Sequence, residues 1–105
     1  MIALNPMWVQ ILAALLFALG IAVAMTRRNV FFVLMGVELA VNAVNLSFIG
    51  FARTLPAESS LIGQIAPLFT IAVAAAEACI GLAMVIMIYR SRESLDADDF
   101  SNLKE

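Results

Sequence analysis

Residues Val30 to Ala52 read VFFVLMGVELAVNAVNLSFIGFA, an apolar run broken only by Glu38, Asn42, Asn45 and Ser47. A helix needs about 20 predominantly apolar residues to cross a hydrocarbon core of about 30 Å. Lone strands would leave their backbone groups unpaired in lipid. The run therefore reads as a transmembrane helix that carries a carboxylate into the bilayer. Two further runs flank it. Met7 to Met25 is interrupted only by Gln10, and Ile65 to Tyr89 holds Thr70 and Glu77. The expected fold is an all-α membrane protein with three transmembrane helices, over about 7–25, 30–52 and 65–89. They form a single membrane domain spanning 1–105, with a polar tail over 90–105.

Composition supports this reading. The chain has 105 residues, of which 64% are hydrophobic and only 13% charged. A soluble domain is roughly half apolar and about a quarter charged. So apolar a chain cannot cover itself with polar surface, so lipid or other membrane subunits must do it. The single cysteine, Cys79, rules out a disulfide framework, and the absence of histidine removes the commonest metal ligand and catalytic base. A GxGxxG motif, a P-loop and a basic nucleic-acid patch are absent too. The beginning of the chain lacks the basic n-region of a signal peptide and its apolar run is too long for one, so the first helix is expected to be retained.

Polar joints set the topology. Thr26-Arg27-Arg28-Asn29 reads as a tight hairpin. Arg53 to Gln64 reads as a longer loop, with Pro56, Glu58, Ser59, Ser60 and Gly63 as turn formers. Arg27, Arg28, Arg90 and Arg92 fall on one side of the membrane and Arg53 alone on the other. The excess of basic residues then predicts a cytoplasmic first loop and C-terminus, with the N-terminus outside, in the periplasm.

Glu38 and Glu77 are the candidate chemical groups. Insertion scales put the cost of Asp, Lys or Arg at a helix centre at roughly 2.5–3.5 kcal/mol, and Glu is taken as comparable. At about 1.5 Å per residue, Glu38 lies roughly 14 Å inside Asn29 and Glu77 roughly 20 Å inside Arg90, too deep to reach water by snorkelling. Desolvation disfavours a charged carboxylate, and intramembrane acids mark ion or proton pathways more often than not. The plainer reading is a pair of protonated or ion-paired acids that hold helices together. Two such acids on facing helices favour proton handling.

Glu38, Asn42 and Asn45 recur at i, i+4 and i+7, on one helical stripe. The amides either hold water beside the carboxylate or form interhelical hydrogen bonds, which are worth about 0.6–2 kcal/mol each. For Asn45 the second reading weighs more, and for Asn42 the two are even. On the third run, Thr70, Ala74, Glu77 and Gly81 share a face whose small residues invite close packing or leave room for water. Gly36 and Ala40 offer a similar small-residue face. The Arg27–Arg28 pair serves either as a topology signal or as a cap that attracts protons or a partner. Pro67 reads as a helix-start marker. Cys79 and the methionines read as packing, and Asp96, Asp98 and Asp99 as a solvated tail.

With these residues in view, the sequence resembles the K subunit, or 4L-type membrane subunit, of the proton-pumping NADH–quinone oxidoreductase, respiratory complex I. The marks are Arg27-Arg28-Asn29, Leu34-Met35-Gly36-Val37-Glu38-Leu39 and Asn42-Ala43-Val44-Asn45-Leu46. Gly63-Gln64, Ala74-Ala75-Ala76-Glu77-Ala78, Ile80-Gly81-Leu82-Ala83 and the closing Ser101-Asn102-Leu103-Lys104 follow. Arg53–Ile62 matches no motif of that family. The resemblance implies a place in the membrane arm of a bacterial plasma (inner) membrane complex, between the quinone-binding region and the antiporter-like subunits, with the J and A subunits among its neighbours. It implies that Glu38 and Glu77 take part in energy-coupled proton transfer and that Arg27 and Arg28 influence activity. NADH, FMN, iron–sulfur clusters and quinone would belong to other subunits, with no cofactor, catalytic redox residue or metal on this chain.

Other classes fit less well. A small subunit of a multisubunit cation/proton antiporter shares the three-helix plan and would differ in its co-purifying partners. An ATP synthase rotor subunit is a hairpin with one acid, and a small multidrug transporter carries its acid on a first helix of four. A purely structural membrane subunit would tolerate Glu→Gln changes without loss of turnover.

Overall fold

A computed structural model describes residues 5–92, with side chains described to residue 91. The acidic tail at Asp96, Asp98 and Asp99 and the stretch Ser101 to Lys104 lie outside the described residues. Three helices follow in order: α1 (Pro6–Thr26), α2 (Val30–Ala52) and α3 (Ala57–Arg92). All three are long and apolar enough to cross a membrane.

Local chemistry sets the boundaries. Asn5 and Asn29 cap α1 and α2, their side-chain oxygens accepting from the backbone N–H of Met7 at 3.0 Å and of Phe31 at 2.9 Å. Pro6 sits at the first turn of α1, where its missing N–H costs nothing. Thr26 donates its hydroxyl back to the Ala22 carbonyl at 2.6 Å as α1 ends. The connection between α2 and α3 is far shorter than the Arg53–Gln64 loop read from sequence, because α3 begins at Ala57. Pro56 ends the turn, and its carbonyl accepts from Ser59 and Ser60 at 3.0 and 2.9 Å. Glu58 sits in the first turn, where a negative charge suits the helix dipole. Pro67 is therefore no start marker. It lies about three turns inside α3, buried, and its missing N–H leaves the Gly63 carbonyl without its helical donor.

The core is made of small residues. Ala13, Ala40, Ala43, Ala52 and Ala74 are buried, joined by Gly20, Gly36 and Gly50, and Val85 is the one larger apolar side chain among them. Large apolar residues point outward instead, with Met25 81% and Ile62 72% exposed. That inversion suits a lipid-facing or subunit-facing surface, where close backbone approach rather than water exclusion drives packing.

Helix α2 is central and packs on both neighbours. Its Gly36, Ala40 and Gly50 stripe meets α1. A Cβ added to Gly20 would lie 2.6 Å from the Gly36 carbonyl oxygen, and one on Gly50 would lie 2.7 Å from Gln10 Nε2. Its opposite stripe meets α3 antiparallel, with Ala52 against Gly63 and Leu34 against Gly81. Eighteen residues, five turns at 3.6 per turn, separate the two contacts on each helix, so the register holds without slip. Arg27, Arg28 and Arg90 therefore lie at one end of the molecule and Arg53 at the other.

Candidate functional site

The α2–α3 register brings the two carboxylates to one level. Glu38 follows Leu34 by four residues and Glu77 precedes Gly81 by four, so the Leu34–Gly81 contact sets them abreast across the seam. Their azimuths differ. Glu38 is half-buried and lines a cavity of about 660 Å³ walled by Val23 of α1 and its C-cap Arg27, by Phe31, Phe32, Met35 and Asn42 of α2, and by Ala78 and Leu82 of α3. On α3 each residue turns about 100° from the last. Ala74 and Gly81 mark the stripe facing α2, Ala78 and Leu82 fall on its cavity side, and Glu77 falls on the other. Glu77 is exposed on the surface of the chain. Depth along the helix axes thus agrees with the sequence, while burial within this chain alone belongs to Glu38 only in part and to Glu77 not at all.

The supporting residues divide in the same way. Asn42 is exposed and lines the cavity one turn from Glu38. Asn45 is buried at 4% exposure, and neither of its side-chain polar atoms has a partner. The interhelical hydrogen bond favoured for Asn45 is therefore not formed, and Thr70, the residue level with it on α3, donates its hydroxyl to the Ala66 carbonyl at 3.0 Å. Arg27 stands at the mouth of the cavity, its guanidinium carbon 5.4 Å from the centroid of the Phe32 ring, a cation–π pair that anchors the charge there. Arg28 is exposed and does not line the cavity.

One polar pair escaped the sequence reading. Gln10 donates from Nε2 to the Ser47 carbonyl at 3.0 Å, and the Ser47 hydroxyl donates to Gln10 Oε1 at 2.6 Å. This pair of hydrogen bonds between α1 and α2 lies on the face opposite α3. Its signal was the lone amide in the first apolar run and a serine near the end of the second.

The described residues contain no cluster of three or more His, Cys, Asp or Glu side chains suited to a metal. The site thus comprises two acids abreast in the middle of a helix pair, one opening on an apolar cavity with an arginine at its mouth, the other facing outward. Such groups can bind and release protons or pair with a cation brought by a neighbour.

Comparison with known proteins gives a consistent answer. The family model of NADH-ubiquinone/plastoquinone oxidoreductase chain 4L matches residues 8–105. The NADH-quinone oxidoreductase subunit K of Desulfitobacterium hafniense is 46% identical over 98 residues, covering 90% of this chain and 89% of that protein. The NAD(P)H-quinone oxidoreductase subunit 4L of Synechocystis is 50% identical over 94 residues, covering 90% of each. The NADH-quinone oxidoreductase subunit 11 of Thermus thermophilus is 49% identical over 92 residues, covering 88% of this chain and 93% of that protein.

Proposed function

Because the chain belongs to the chain 4L family of the NADH–quinone oxidoreductases, we propose that it couples quinone reduction to proton translocation through Glu38 and Glu77. It is a multi-pass membrane component of an oxidoreductase complex whose other subunits are its partners. In this reading NADH, FMN, iron–sulfur clusters and quinone reside on those other subunits. Antiporter-like subunits and the J and A subunits border this one in a bacterial inner membrane, with the Arg27–Arg28 end in the cytoplasm, as the basic residues favour.

The observation that carries the proposal is the level placement of the two acids across a continuous antiparallel seam. Proton affinity of a carboxylate depends on whether water or apolar surface surrounds it. A change in the cavity beside Glu38, driven by quinone chemistry elsewhere in the complex, alters that balance and moves a proton. Glu77, facing outward at the same depth, is placed to exchange with a group on the adjoining subunit. Arg27, held over Phe32 at the cavity mouth, sets the local potential.

The exposure of Glu77 favours a second reading, in which it is an ion-pair anchor for a partner and purely structural. NADH-driven acidification of inverted membrane vesicles separates the two. With Glu38→Gln or Glu77→Gln in an assembled complex, joint loss of acidification and quinone-linked NADH oxidation is expected. Unchanged acidification would make the substituted glutamate structural.

A further inference from the structure

Asn45 is the one buried polar side chain among the described residues, and neither end of its amide has a hydrogen-bond partner. Buried polar groups in folded proteins are almost always paired. At 4% exposure Asn45 is enclosed by this chain's own helices, out of reach of a side chain from another subunit. Its two amide atoms are sealed off, and Asn45 does not line the cavity beside Glu38, which leaves no room for water there. A partner for it has to come from this chain.

Helix α3 can supply one. The Ala52–Gly63 and Leu34–Gly81 contacts put Asn45 level with Thr70. Thr70 donates its hydroxyl to the Ala66 carbonyl at 3.0 Å, one turn back along α3. Threonine in a helix populates two side-chain rotamers. Turned to the other, the Thr70 hydroxyl is free to donate to Asn45 Oδ1. The Ala66 carbonyl then has a lone pair vacant for Asn45 Nδ2. One bond is given up, two are made, and both ends of the buried amide are answered. Neither bond is made in this structure, so α3 has to approach.

The seam leaves room for that approach at one end only. At Ala52 it is closed, since a Cβ on Gly63 would lie 2.7 Å from that of Ala52. At Gly81 it is open, since a Cβ there would meet only the Leu34 methyls, at 3.7 Å. Just beyond the closed end lies Pro67, whose missing N–H removes a backbone bond to Gly63. Prolines and threonine back-bonds are places where helices bend.

We propose that α3 pivots at Gly63–Pro67 between two states of the seam, with Asn45 as the latch. In the open state, that of this structure, Thr70 bonds Ala66 and the amide is unpaired. In the closed state Asn45 accepts from Thr70 and donates to the Ala66 carbonyl, and the Leu34–Gly81 end draws together. The swinging part of α3 carries Glu77, so closure shifts it against Glu38. Use of that shift to time proton transfer rests on the function proposed above; the two states themselves do not.

Cryo-EM of the intact oxidoreductase complex, at rest and during NADH-driven quinone reduction, tests this. Two classes are expected, one with the Asn45 amide unpaired and one with it bonded to the Thr70 hydroxyl and the Ala66 carbonyl. Gly81 lies roughly 27 Å beyond Gly63 and Thr70 roughly 10 Å. The Leu34–Gly81 separation should therefore change about two to three times as much as the Asn45–Thr70 one, while Ala52–Gly63 holds. A single seam under both conditions, or equal movement at its two ends, overturns the proposal. Thr70→Val, which keeps the side-chain shape, should leave only the open class, and Thr70→Ser should restore both. Should Thr70→Val fail to assemble, Asn45→Leu should likewise lose the closed class. Two classes persisting in either variant overturn the latch. The maps read the seam directly, so a Glu77→Gln complex that still pumps would strike the proton reading and leave the two states standing.

Discussion

The two faces of α2 are built differently. Toward α1, glycines let backbone meet backbone, so that a Cβ on Gly36 would lie 2.7 Å from the Ala24 nitrogen and the Gly20 oxygen. The polar groups there, Gln10 and Ser47, satisfy each other. Toward α3, the seam is tight at Ala52–Gly63 but open at Gly81, where a Cβ would meet only the methyls of Leu34 at 3.7 Å. Midway along it lies an unpartnered amide, and two acids stand abreast at its edges. One face is closed and satisfied. The other keeps slack at Gly81 and an unpaired amide at Asn45. In the proposed function, one neighbour clamps α2 in place while the proton chemistry lies along the other.

The largest effect that would break this contrast is expected at Glu77. Glu77→Gln should reduce NADH-driven acidification by tenfold or more, about 1.4 kcal/mol or more in barrier terms, with the complex still assembled on a native gel. Retained acidification would make Glu77 structural and leave the proton chemistry to Glu38 alone. Next comes Gly36→Ala, which forces a methyl into the α1 backbone. Overpacking of this kind costs typically 1–3 kcal/mol, and it should appear as a lowered melting temperature of the complex or a reduced assembled fraction. Ser47→Ala removes one of the two bonds of the Gln10 clasp. Hydrogen bonds between membrane helices average about 0.6 kcal/mol, so a small thermal shift is expected with acidification unchanged. The smallest effect belongs to Gly81→Ala. Its methyl finds ordinary contact distance and gains up to about 1 kcal/mol of helix propensity, so stability should hold or rise. A Gly81→Ala complex as unstable as Gly36→Ala would erase the difference between the faces.

Much of this was legible in the sequence, and the failures share one cause. The three spans were readable because apolar runs of that length have no other stable arrangement in lipid. The small-residue face at Gly36 and Ala40 was readable from its spacing, though not that Gly20 of α1 would fill it. Depth along the axis was readable for Glu38 and Glu77 because rise per residue is nearly constant. Azimuth relative to a partner helix was not, which is why Glu77 proved exposed and Asn45 unpartnered. The start of α3 was misread because Ser59, Ser60, Gly63 and Gln64 resemble a loop by composition. Only Pro56 breaks the chain there, and Gly63 is spent on close approach to Ala52.

The length of α3 has a consequence for how depth is measured. At about 1.5 Å per residue its 36 residues extend roughly 54 Å, close to the 56 Å long axis of the molecule. Only the apolar stretch of α3, Ile65 to Tyr89, has to match a hydrocarbon core of about 30 Å, and that stretch extends roughly 37 Å, with the polar first turns of the helix projecting beyond it. Lipid thickness alone therefore leaves α3 roughly one turn of slack. The 23 residues of α2, about 35 Å, match the core more closely. The vertical position of Glu77 is thus an inherited quantity: α2 reads the membrane, and the five-turn spacing of its contacts passes that reading to α3.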